Sequence, residues 1–157
     1  MFAVRLALED LALTEAAAAL TPDLLEELRL RLERMDKAER TRREDVAEGG
    51  RAFHDILYQA AGNSINDAIL RGLQVKVDRY RYIATGRGSR RQRQAVDEHK
   101  AILQALRQGE VESARRAMRA HLEGSQREVL RVLQLKPGGD LVSLPRQARL
   151  ARALTSR

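Results

Sequence analysis

The stretch Asp97–Leu122, DEHKAILQALRQGEVESARRAMRAHL, reads as two helices joined at one glycine. His99 recurs with Ala95, Ile102 and Leu106, and His121 recurs with Ala114, Met118 and Ser125. These spacings put each histidine on the apolar side of its helix. Gly109 punctuates the pair, with His99 ten residues before it and His121 twelve after. At about 1.5 Å per residue the two rings stand roughly 15 and 18 Å from the bend. If the helices fold back on each other, the rings arrive at nearly the same depth.

The rest of the chain is helical in pattern. A first helix spans about Val4 to Leu20. The second opens on Thr21 as cap, Pro22 at the first helical position and Asp23 near the positive dipole end. Leu24, Leu25, Leu28 and Leu32 form its stripe. A third covers about Arg43 to Ala61 and stops at Gly62; Asn63 or Ser64 caps a fourth, which reaches about Ala84. The stripe assigned to this fourth helix is Ile65, Ile69, Leu73, Val77, Tyr80 and Ala84. A fifth runs from about Arg91 to Gln108 and a sixth from about Val111 to Leu135. No alternating strand pattern survives, and short connections favour antiparallel neighbours. The expected fold is all-α: an antiparallel bundle of six or seven helices, over residues 1–135, followed by a basic tail at 136–157.

Composition narrows the function. The 157 residues include no cysteine, so disulfides and thiolate chemistry are excluded. No apolar run is long enough to span a bilayer, and acidic residues interrupt the opening MFAVRLALEDLAL where a secretory signal would be apolar. A cytoplasmic place is expected. The net charge is +7, which reads as solvated arginine on helix surfaces or as attraction to anions. With two Phe, three Tyr and no Trp, a base-stacking platform is disfavoured. The Arg87–Arg93 cluster is a weak candidate for a phosphate-touching patch.

The third histidine, His54, shares a face with Leu57 and Ala61, eight residues before Gly62. It stands roughly 12 Å from that end and could reach the level of the other two. Three imidazoles converging inside a bundle suit a divalent metal, and buried rings need hydrogen-bond partners. The alternative for each ring is a satisfied core histidine.

Three segments together resemble one family: RLALE (Arg5–Glu9), FHDILYQAAGN (Phe53–Asn63) and the Asp97–Leu122 stretch. They are similar to the FCD domain, the effector-binding domain of FadR-type GntR transcription regulators, over about residues 2–135. The resemblance implies a helical bundle with a central cavity and a small organic acid as effector, beside a divalent ion such as zinc. It maps three metal ligands to His54, His99 and His121. The family's aspartate ligand, four residues before the first histidine, falls on Gly50. With that carboxylate missing, a three-histidine site with water remains reasonable, or metal binding has weakened or gone. Gly49 and Gly50 also weaken a helix by roughly 1 kcal/mol each against alanine, so a kink or frayed turn is expected there.

Lys76 falls inside the assigned stripe of the fourth helix and is a candidate partner for a buried anionic effector; snorkelling to the edge is the alternative. Arg5 matches the family's opening arginine and is a second effector candidate, with an i, i+4 ion pair to Glu9 as its simpler role. The implied assembly is a homodimer. DNA would be read only through a winged helix-turn-helix, which is expected to be absent from this chain. Two other readings stay open: a helical interaction module with relict histidines, and a metal-dependent hydrolase. The second is weakened because no carboxylate clearly shares the histidine face to act as base.

Overall fold

The computed structural model describes residues 1–41, 44–84 and 90–132. Six helices fill them: α1 (Phe2–Ala19), α2 (Pro22–Thr41), α3 (Glu44–Ala61), α4 (Ser64–Ala84), α5 (Arg90–Arg107) and α6 (Val111–Val132). No strand occurs among the described residues. The basic tail and the last residues expected in the sixth helix lie outside them, as does the segment 85–89.

The turns follow from local chemistry. Thr21 Oγ1 accepts from the Leu24 amide at 3.3 Å, and Pro22 opens α2. Asn63, rather than Ser64, caps α4: its Oδ1 accepts from the Asn66 amide at 3.1 Å. Gly62 and Gly109 take positive φ, 67° and 70°. At Gly109 the Glu110 amide donates to Ala105 at 2.9 Å and the Gly109 amide to Leu106 at 3.1 Å. That pair of bonds is a Schellman turn, and it folds α6 back along α5.

The main core joins α1, α2, α3, α5 and α6 through side chains such as Leu13, Leu28, Met35, Phe53, Ile102 and Met118, all buried. Burying each of these contributes about 1.5–3 kcal/mol. Arg115 ties α6 to α1 by a two-pronged bond to Asp10, at 2.9 and 2.6 Å. Helix α4 stands apart, packing on α1, α3 and α6 and joining a smaller cluster of Ala12, Tyr58 and Leu70.

Here the sequence-based stripe fails in part: Val77 is buried as expected and Leu73 is half-buried, but its first turns are turned outward. The buried face of α4 carries Asn66, Leu70, Gln74 and Val77. Ile65 is 74% exposed and Ile69 45%. Lys76 lies on the exposed side with them, so it faces no buried anion. The inversion has a cause: the Asn66 amide nitrogen donates to the Leu8 carbonyl at 3.0 Å, and Gln74 donates to Asp78 at 3.2 Å. These bonds let two amides occupy the inner face. The Tyr80 and Ala84 side chains lie outside the described set.

The double glycine also behaves otherwise than expected: α3 runs unbroken through it. A Cβ on Gly49 would stand 3.0 Å from Met35 Cβ and 3.4 Å from its Cα. Gly49 is therefore where α2 and α3 approach so closely that even a methyl group would press on Met35. Gly50 is different, since a Cβ there meets its nearest atoms at 3.7 Å, an ordinary contact. Alanine at either site gains about 1 kcal/mol of helix propensity. At Gly49 overpacking of order 1–3 kcal/mol opposes it. Denaturant unfolding should thus rank Gly50→Ala above wild type, and above Gly49→Ala by at least about 1 kcal/mol. Equal stability of the two variants would refute the close-approach argument.

Candidate metal centre

Three helices each deliver one histidine to a single buried point. His54 comes from α3, His99 from α5 and His121 from α6, with residue exposures of 2%, 1% and 1%. Ring centroids are 4.3 Å apart for His99–His121, 5.3 Å for His54–His99 and 5.5 Å for His54–His121. One ring nitrogen from each lies within 4.8 Å of the other two. The equal-depth argument from the Gly109 bend thus holds in three dimensions, and α3 brings the third ring to the same level.

Each ring is pinned at Nδ1. His99 Nδ1 is 2.6 Å from the Ala95 carbonyl, His54 Nδ1 3.0 Å from Glu9 Oε2, and His121 Nδ1 2.7 Å from Glu98 Oε2. A carbonyl or carboxylate oxygen only accepts, so Nδ1 donates in each case. A neutral imidazole whose Nδ1–H is donated keeps its lone pair on Nε2. This arrangement orients histidines toward a metal and raises their basicity.

Two of these contacts are the inner ends of arginine–carboxylate relays, the first closed and the second half-buried at Glu98. In the first, Glu9 accepts from Arg5 Nε at 3.0 Å and from the Tyr58 hydroxyl at 2.6 Å, besides meeting His54. Arg5 and Glu9 are 2% and 1% exposed, so their pair is no surface bridge. In the second, Arg91 grips Glu98 with two bonds of 2.6 Å, while also donating to Ser125 Oγ at 3.1 Å and the His121 carbonyl at 3.0 Å. Gly124 makes room: a Cβ there would stand 3.3 Å from the guanidinium carbon of Arg91. This relay adjoins a cavity of about 480 Å³ between α5 and α6, lined by Arg91, Glu98, Gly124 and Arg127 among others.

The sequence had pointed elsewhere for several of these residues. Arg91, grouped with the Arg87–Arg93 patch, is turned inward and buried; Arg93 is exposed and pairs with Glu39. Residues 87–89 lie outside the described set. The expectation that no carboxylate meets the histidines is corrected, since Glu9 and Glu98 touch two of them, though at Nδ1. A signal existed for Arg91: it precedes Ala95, Glu98 and Ile102 by four, seven and eleven residues, on the inner stripe of α5. Gly50 is buried one turn before His54, and a Cβ there would lie 3.8 Å from His99 Nε2. A longer side chain at position 50 would therefore abut the cluster.

The bundle and this constellation define a class. The FCD domain family matches residues 1–124, and the chain belongs to that family. No curated relative matches the sequence. Among solved structures, the chain resembles E. coli McbR/YncC with a TM-score of 0.69 at 24% identity, over 83% of this chain. It spans 61% of that neighbour's length. It also resembles the metal-free FCD domain of TM0439, a candidate transcriptional regulator, with a TM-score of 0.70 at 20% identity, over 85% of this chain and 91% of that one. Both likenesses concern the fold.

Electrostatics of the inner relay can be tested. Burial alone would push the Glu9 carboxyl up; the charge and hydrogen bond of His54, then Arg5 and Tyr58, reverse this and hold it at about 2. A carboxyl lowered on folding stabilises the native state above its unfolded value near 4.5, and that contribution fades as pH falls toward 2. Its size is on the order of 3 kcal/mol. In chelator-treated protein, wild-type stability should fall between pH 4.5 and 2, whereas Glu9→Gln should be less stable at pH 7 and flatter across that window. Parallel curves for the two proteins would remove Glu9 from this role.

Proposed function

We propose that this chain is the ligand-sensing domain of a GntR/FadR-type transcription regulator, binding a small organic acid beside a divalent ion, zinc, held by His54, His99 and His121. The observation that carries the reading is the convergence of three buried rings whose Nδ1 atoms are each committed to an acceptor. That donor set fits the ion, because nothing in the three Nδ1 bonds competes with coordination through Nε2. When bound, such an ion supplies positive charge and open coordination positions to a carboxylate oxygen. Arg5 is a candidate second contact for the acid. Its Nη2 is buried and lacks a well-aligned hydrogen bond, although it lies 2.9 Å from Glu9 Oε1. Family membership supports a regulatory rather than enzymatic role. Glu9 and Glu98 are bound to arginine and histidine, so neither stands ready as a general base. DNA contact is assigned to a winged helix-turn-helix outside these 157 residues, and the setting to the cytoplasm; no described helix is long and apolar enough to cross a membrane.

Thermal melts should show stabilisation of metal-free protein by zinc, a further rise with one or more members of an organic-acid panel, and loss of the zinc effect in His99→Ala. An unchanged melting temperature under every ion and acid would instead favour a helical interaction module with relict histidines.

The proposed assembly is a homodimer. Ile65, Ala68, Ile69, Gly72 and Val75 share one exposed face of α4, spaced for a single helix side, with small residues that permit close approach. Sedimentation of wild type should report a dimer, and the double variant Ile65→Glu/Ile69→Glu a folded monomer. A dimer that survives the double change would place the interface elsewhere.

A further inference from the structure

Away from the histidines, α2 carries Arg31, Arg34 and Lys37 at three-residue steps. Facing them, α3 offers only small residues at Gly49 and Ala52, three apart and so on one side of that helix. Between the two rows lies a cavity of about 470 Å³, lined by these five residues and by Glu48 among others. Its floor is fixed. The two helices already touch where Gly49 meets Met35, 3.0 Å from the position of a Cβ, so they cannot close further there.

The charges on this lining do not cancel, since three cations face one carboxylate. Arg31 has Glu27 at 3.6 Å, too far for a hydrogen bond. Arg34 is exposed and has no ion pair among the described residues, and the same holds for Glu48. A carboxylate ligand brings one charge and two oxygens, which a single guanidinium satisfies. A phosphate monoester brings about −1.5 to −2 at pH 7 and three terminal oxygens, one for each cation. The volume falls within the range of small-molecule pockets, about 300–1,000 Å³. A recess walled by two helices suits a compact anion better than it suits the backbone of a duplex.

We propose that this α2–α3 cavity binds the phosphate group of a small phosphomonoester, held by Arg31, Arg34 and Lys37, with the organic part over Gly49 and Ala52. The site shares no residue with the histidine cluster and does not depend on the metal reading above.

The test is calorimetric titration of chelator-treated full chain with glycerol 3-phosphate and with inorganic phosphate, in sodium chloride of matched ionic strength. Glycerol 3-phosphate should bind saturably at one site, and more tightly than the free ion. Arg34→Gln should weaken it by at least about tenfold. Ala52→Leu, which fills the cavity without changing charge, should weaken it by a similar factor while remaining folded by circular dichroism. Arg127→Gln removes the same charge from the cavity between α5 and α6 and should leave affinity unchanged. Absence of saturable binding overturns the proposal. So does equal weakening by Arg34→Gln and Arg127→Gln with no effect of Ala52→Leu, since attraction is then a matter of net charge alone. Equal affinity for the two probes overturns the phosphomonoester in favour of the free ion. Binding of a short DNA duplex that is sensitive to Arg34→Gln, with neither probe bound, would make the row a polyanion surface instead.

Discussion

The interior of this bundle depends on the donated Nδ1–H of its three central histidines. A buried imidazole with an unanswered polar atom is costly, of order 1–3 kcal/mol. Three of them side by side would destabilise the core unless each had a fixed partner. The chain meets that requirement in two ways. His99 uses the carbonyl of Ala95 on its own helix, one turn earlier. His54 and His121 use carboxylates, which then require cations of their own, and Arg5 and Arg91 provide them. Much of the polar content of the core follows from this sequence of needs: Tyr58 on Glu9, Ser125 on Arg91, and Gly124 as the gap in which a guanidinium can lie.

What the sequence reveals and what it hides divide along physical lines. The histidines were legible because each repeats with apolar neighbours at helical spacing, and because the distance to a glycine bend is arithmetic. The bend itself was legible because a Schellman turn favours glycine at one position. The relays were not. Glu9 meets His54 across 45 residues, and Arg91 meets His121 across 30, so no local period announces either contact. An i, i+4 pair such as Arg5–Glu9 looks the same on paper whether it is solvated or sealed.

Helix α4 misled for a different reason. Its apolar residues divide between two faces: Leu70 and Val77 are buried, Ile65, Ile69 and Val75 are exposed, and Asn66 and Gln74 point inward with bonds to Leu8 and Asp78. Hydrophobic periodicity identifies a stripe, not the surface that covers it. Lys76 was drawn into the site by the same error. Gly49 and Gly50, read together as a weakness, differ in their surroundings: one permits the close approach of α2 and α3, and the other lies beside His99 with room for a Cβ at ordinary contact distance.

The two relays differ in their access to solvent, and the difference gives the centre a direction. Arg5–Glu9–His54 is closed, with every member at most 3% exposed. Arg91–Glu98–His121 opens outward, because the Glu98 side chain is 27% exposed and adjoins the cavity between α5 and α6. His99 and His121 sit on the two arms of one hairpin, fixed in register by its turn and packed along their length, whereas α3 meets α5 over a shorter contact. Any demand that the three nitrogens draw closer therefore falls mainly on the seam between α3 and the hairpin. That seam is where Gly50 lies, with the His99 ring and the Met35 methyl 3.7 Å from where its Cβ would stand.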